Sequence, residues 1–163
     1  MTAGAPAPFV IAPAASPDDL IAAGRLFRDY AVFLKVDLCF QDFEAELAAL
    51  PGKYEPPRGA LLLAFDAQRH PVGCVALRPL DADCCEMKRL YVAAAARGAG
   101  LGKALMNAVI AEARRIGYRA IRLDTLPQLT TALRMYEAAG FARIAPYYAT
   151  PVAPTVFLEL PLR

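Results

Sequence analysis

The chain has 163 residues, 57% of them hydrophobic, which suffices to bury one apolar core without disulfides and leaves little room for a second domain. A net charge of +2 argues against the concentrated basic face that nucleic-acid binding needs. No run approaches the ~20 apolar residues of a membrane span, and a lone histidine without any CxxC pair argues against a zinc site.

Residues 1–8 read as a flexible tail and residues 9–163 as a single domain. The opening residues lack a basic start and a long apolar run, so no leader is expected. Cys39, Cys74, Cys84 and Cys85 read as reduced thiols of a cytoplasmic protein. Phe9–Ala12 is a short strand. Ser16 then caps a helix, with Pro17 at its first position, Asp18 and Asp19 at its positive end, and an apolar stripe of Leu20, Ala23, Phe27, Tyr30 and Leu34. Gln41–Leu50 reads as a second helix stopped by Pro51-Gly52, and Pro51–Gly59 as a loop. Ala60–Phe65 and Val72–Leu77 pair around a turn that holds His70, a surface residue. Cys84–Val92 is a strand, Leu101–Ile116 a helix ended by Gly117, and Arg119–Asp124 a strand. A helix at Leu129–Ala139 and strands at Phe141–Ile144 and Val156–Leu160 complete the order β-α-α-β-β-β-α-β-α-β-β. Consecutive middle strands favour antiparallel pairing, and the strand-helix-strand unit Glu86–Asp124 favours a parallel pair. The fold class is therefore α/β (α+β): a mixed, mostly antiparallel sheet of about seven strands with about four helices, placed on both faces.

The chemistry concentrates between Glu86 and Lys103. Gly98, Gly100 and Gly102 sit where a turn enters a helix, so backbone N–H groups can converge on one anion. The helix start adds positive potential, and Arg97 and Lys103 add charge. The segment is a pyrophosphate cradle. It is no P-loop, because Ala104 follows Gly102-Lys103, and its spacing differs from GxGxxG.

Arg97-x-x-Gly100-x-Gly102 resembles the R/Q-x-x-G-x-G/A signature of the GCN5-related N-acetyltransferases. Glu86–Val92 resembles that family's fourth strand. Leu133-Arg134-Met135-Tyr136-Glu137-Ala138-Ala139-Gly140-Phe141 resembles its late tyrosine helix running into the sixth strand. One departure is Leu129, seven residues before Tyr136, where many members carry asparagine.

The resemblance implies a splay between the fourth and fifth strands. It implies acetyl-CoA as cosubstrate, with no metal. The pantetheine arm would lie along the main chain of Leu90, Tyr91 and Val92, and the pyrophosphate on Arg97, Gly98, Ala99, Gly100, Leu101, Gly102 and Lys103. Tyr136 would be the acid for the leaving thiolate, its alternative being a core aromatic. Glu86, eleven residues before Arg97, would be the general base, its alternative a solvent-facing strand residue. Lys88 and Arg89 alternate on the strand and default to a solvated face, the alternative being that one of them faces the anion. The acceptor pocket is expected from the first two helices, the loop with Tyr54, and the segment Pro146–Pro151, the alternative for these aromatics being packed loop residues. A small-molecule amine acceptor, direct transfer, and a monomer or homodimer are expected; a peptide acetyltransferase and a non-catalytic acyl-CoA sensor are the alternatives.

Overall fold

The computed structural model describes residues 8–163, so all but the last residue of the expected tail lies outside the described residues. Strand β1 (Val10–Pro13) leads into helix α1 (Pro17–Leu34). Ser16 and Asp19 form a reciprocal capping box at its start: the Ser16 hydroxyl accepts from the Asp19 N–H at 3.1 Å, and Asp19 Oδ2 accepts from the Ser16 N–H at 3.2 Å. The second predicted helix splits into a 3₁₀ turn at Cys39–Gln41 and a short α2 (Phe43–Ala48), broken at Asp42, which is left-handed with φ 54°. Strands β2 (Ala60–Phe65), β3 (Pro71–Pro79) and β4 (Cys84–Val92) form an antiparallel meander. Helix α3 (Leu101–Ile116), strand β5 (Ala120–Thr125), helix α4 (Thr130–Ala138), and strands β6 (Ala142–Ile144) and β7 (Val156–Pro161) follow.

The sheet order is β1-β2-β3-β4-β5-β7-β6, with one parallel neighbour pair, β4–β5, among the described strands. Two apolar clusters cover its faces. The larger gathers Leu105, Met106, Val109 and Ala113 of α3 with Cys85, Met87, Ile121 and Leu123 of the sheet. The other packs Ala23, Leu26 and Phe27 of α1 and Phe43 of α2 on Leu61, Leu63, Cys74 and Ala76. The four cysteines are free thiols. Among the described residues no helix is long and apolar enough to cross a membrane.

Two irregularities in β4 shape the site. Its pairing with β5 covers only Cys84–Glu86 against Ala120–Arg122, although β4 runs on to Val92 and β5 to Thr125. The two strands therefore diverge after Glu86, giving the expected splay. The second is a bulge: Cys74 faces Tyr91 and Ala76 faces Lys88, so Val75 opposes both Arg89 and Leu90. Arg89 takes φ 61° to accommodate it. The bulge turns Arg89 onto the same α1/α2 face as its neighbour Lys88, where the two side chains reach Glu46 and Gln41.

Candidate active site

The splay opens into a cavity of about 700 Å³, within the ~300–1,000 Å³ range of ligand pockets. At its outer end lies the glycine loop. Gly98 and Gly100 are left-handed, with φ 86° and 77°, and a Cβ built on either meets no atom within 4 Å. The loop thus faces open space with backbone alone. Among the described residues no backbone carbonyl accepts from the N–H groups of residues 98–103; the first helical bond runs from the Ala104 N–H to the Gly100 carbonyl at 3.1 Å. This is the donor set an anion requires at a helix start. Arg97 is fixed beside it: Nε donates to the Val92 carbonyl at 2.9 Å, and the guanidinium lies over the rings of Phe33 (4.6 Å) and Tyr91 (5.6 Å). Every predicted cradle residue lines the cavity except Ala99.

Leu90, Tyr91 and Val92 also line it, along the part of β4 that β5 no longer pairs. Tyr136 projects from α4, 6% exposed, its ring edge-on to Phe141 at 5.7 Å. Burial pushes its phenol above the usual tyrosine range, with smaller contributions from Tyr30 and Asp124. The hydroxyl is therefore a proton donor at neutral pH. Leu129, Thr130 and Thr131 at the start of α4 lie on the same wall.

Glu86 does not reach the cavity. It is 1% exposed and absent from the lining. Oε1 accepts from Arg78 Nε at 2.8 Å and Oε2 from the Tyr147 hydroxyl at 2.5 Å, so both oxygens are committed. Direct contact with an acceptor is closed to it, so a base role for Glu86 would have to run through water. Lys88, expected on a solvated face, instead lines the cavity with an 11% exposed side chain. Its Nζ donates to Gln41 Oε1 at 3.1 Å and lies 3.8 Å from Glu86 Oε1. Burial lowers the Lys88 pKa, opposed by the Glu86 charge. Arg89 is also buried, pairing with Glu46 at 3.0 Å through two nitrogens.

Sequence reasoning passed over Asp124, which is the one carboxylate among the described cavity-lining residues. It accepts a hydrogen bond from the Tyr148 hydroxyl. Its face of β5 was the available signal: Ile121 and Leu123 point to the α3 core, so Arg122 and Asp124 must point the other way. Of the expected acceptor elements, α1 contributes Tyr30 and Phe33, and the segment Pro146–Pro151 contributes Tyr148 and Thr150; Val152 and Thr155 just beyond it line the cavity too. The loop with Tyr54 contributes none; Tyr54 is a core residue packed edge-on against Phe27 at 6.1 Å. His70 is exposed in its turn beside Asp66. No group of three or more potential metal ligands occurs among the described residues.

Comparisons with known proteins agree with this geometry. The Acetyltransferase (GNAT) family matches residues 13–141. An uncharacterized N-acetyltransferase of Schizosaccharomyces pombe is 40% identical over 145 residues, covering 88% of this chain and 89% of that protein. A GNAT-family acetyltransferase from Staphylococcus aureus shares the fold with a TM-score of 0.79 at 20% identity, covering 95% and 99% of the two chains. So does yncA of Salmonella typhimurium, solved with its cofactor acetyl-CoA, with a TM-score of 0.67 at 22% identity over 96% and 95%. The chain belongs to the GNAT family and is an acyl-CoA-dependent N-acetyltransferase.

Proposed function

We propose that the protein moves an acetyl group from acetyl-CoA to the primary amine of a small molecule, by direct attack in a ternary complex. One observation carries this reading: a single cavity joins the open N–H cradle, the unpaired stretch of β4, the buried Tyr136 and the acidic Asp124. The pyrophosphate sits on the N–H groups of residues 98–103, beside the positive Arg97 and Lys103. The pantetheine arm adds to Leu90, Tyr91 and Val92 as a strand would, satisfying main-chain groups that β5 leaves open. The thioester then lies near Tyr136, whose protonated phenol serves the departing thiolate. Free cysteines that could form an acyl-enzyme lie elsewhere: Cys39, Cys74, Cys84 and Cys85 are outside the cavity lining.

A small acceptor suits a cavity of about 700 Å³ that the cofactor must share, lined on the acceptor side by Tyr148, Thr150, Val152 and Thr155. The test is an acceptor panel of small amines and short peptides with acetyl-CoA, following free thiol release. Turnover with small amines is expected. Turnover with peptides alone reassigns the acceptor. Tight acetyl-CoA binding with no turnover on any acceptor makes the protein a sensor instead.

A further inference from the structure

The face of the sheet beneath α1, α2 and the late loop carries charges in a defined register. Glu86 on β4 stands opposite Arg122 on β5 as the last paired couple before the splay. Two residues on, in both strands and on the same face, come Lys88 and Asp124. They face each other across the opening, and both line the cavity. No ion pair joins them among the described residues, although the Asp124 charge acts on Lys88. Each is fixed from behind. Lys88 is held by Gln41, and its share of Glu86 is weak because Arg78 lies closer to the same oxygen, 2.8 Å against 3.8 Å. Asp124 is held by Tyr148, whose ring packs on Phe157 at 5.3 Å.

Two opposite charges left apart on the half-buried wall of one cavity form a pair of seats that a single doubly charged molecule can bridge. A simple amine would satisfy Asp124 alone. A neutral molecule would satisfy neither. A molecule with an ammonium and a carboxylate on neighbouring atoms satisfies both at once. Taking the small-molecule reading above as its basis, we propose that the acceptor is an amino-carboxylate of the α-amino-acid class, with its ammonium on Asp124 and its carboxylate on Lys88.

The chemistry balances with the residues present. The ammonium gives one proton to the Asp124 carboxylate, freeing the nitrogen lone pair. The amine attacks the thioester carbonyl; the C–N bond forms and the C–S bond breaks as the thiolate leaves. Tyr136 protonates that thiolate, and the second nitrogen proton passes to solvent, from which the Tyr136 phenolate recovers its own. Asp124 then releases its proton, so the net products are the N-acetylated acid, free CoA thiol and one proton.

The test compares α-amino acids with their own amides and their own decarboxylated amines, using thiol release to obtain kcat/KM. The amide nitrogen partner is the more easily deprotonated amine, so a preference for the acid over its amide cannot arise from amine basicity. The acid is expected to exceed its amide by about tenfold or more. Lys88→Met brings that ratio to about one and Lys88→Arg preserves most of it, with acetyl-CoA affinity by calorimetry serving as the check that each variant is folded. Asp124→Asn lowers kcat by about 100-fold or more with every acceptor. If the unmutated protein turns over amines and amides as well as acids, the proposal falls while the small-molecule reading stands. If the ratio survives Lys88→Met, Lys88 is not the carboxylate seat and the proposal falls. Turnover of peptides alone overturns both.

Discussion

Tyr136 and Glu86 show how far a residue's role depends on what surrounds it. Both were singled out by the resemblance to the family, yet only Tyr136 faces the cavity. Its phenol is held above the ordinary tyrosine range by burial, so it stays protonated as pH climbs through about 10, the value of a free tyrosine. Tyr136→Phe keeps the ring and its packing on Phe141 but removes the proton. We expect kcat to fall by about 10²–10⁴-fold with acetyl-CoA affinity nearly unchanged, since the loss acts in the transition state. A wild-type rate in this variant would make Tyr136 structural. Glu86 predicts the opposite pattern. It is enclosed by Arg78, Lys88 and Tyr147, so Glu86→Gln removes a charge that two cations share. We expect stability to drop by about 1–3 kcal/mol in urea, while the acidic limb of the pH–rate profile remains. An intact fold with that limb abolished would return the base to Glu86, acting through water. The sequence could not separate these cases, because a glutamate in an apolar strand reads alike whether it faces a substrate or an arginine from the neighbouring strand. For Asp124 the alternation of β5 gives the face but not the role: the acid looks like an ordinary solvent-facing residue until Tyr148 is seen folded over it.

At the scale of elements, the strands and long helices were largely legible. β2, β4 and α3 run over the predicted residues, because their periodicity and their Gly and Pro boundaries agree. The second helix was overextended, since Asp42 takes a left-handed conformation that divides it. The bulge at Arg89–Leu90 leaves no pattern in the sequence, and it turns Arg89 onto the same inward face that alternation from Glu86 gives Lys88. Tyr54 could line a pocket or pack as a loop residue on sequence grounds, and its ring enters the α1 core. The glycine loop faces open space with backbone alone, and it carries the sharpest prediction at this scale. Gly100→Val imposes a β-branched side chain on φ 77° and fills the space in front of the N–H groups. We expect acetyl-CoA affinity by calorimetry to fall more than with Arg97→Ala, which removes one charge-assisted contact worth about 1.5–3 kcal/mol. Equal affinity of Gly100→Val and the unmutated protein would remove the cradle assignment.

Across the whole molecule, the sheet is continuous at its centre only through the three parallel couples Cys84–Ala120, Cys85–Ile121 and Glu86–Arg122. Beyond them the strands β1–β4 and the strands β5, β7 and β6 diverge, and the cavity fills the gap. A ligand strand laid along Leu90–Val92 would therefore complete the sheet as well as occupy a pocket. Two effects can be separated. Any ligand that binds only the folded chain stabilises it by mass action, about 2.7 kcal/mol at 100 times its Kd, whatever it touches. That corresponds to a rise of roughly 5–10 °C in Tm for a chain of this size. Acetyl-CoA and adenosine diphosphate, each at the same multiple of its own Kd, are thus expected to raise Tm alike, because both fill the cradle. Local protection is expected to differ. Hydrogen exchange at the N–H groups of residues 98–103 slows with either ligand, since both carry the pyrophosphate. Exchange at residues 90–92 slows with acetyl-CoA alone, since only it carries the pantetheine arm. Equal protection of residues 90–92 by the two ligands would mean that the cradle tightens β4 from a distance, and the arm would then have to lie elsewhere in the cavity.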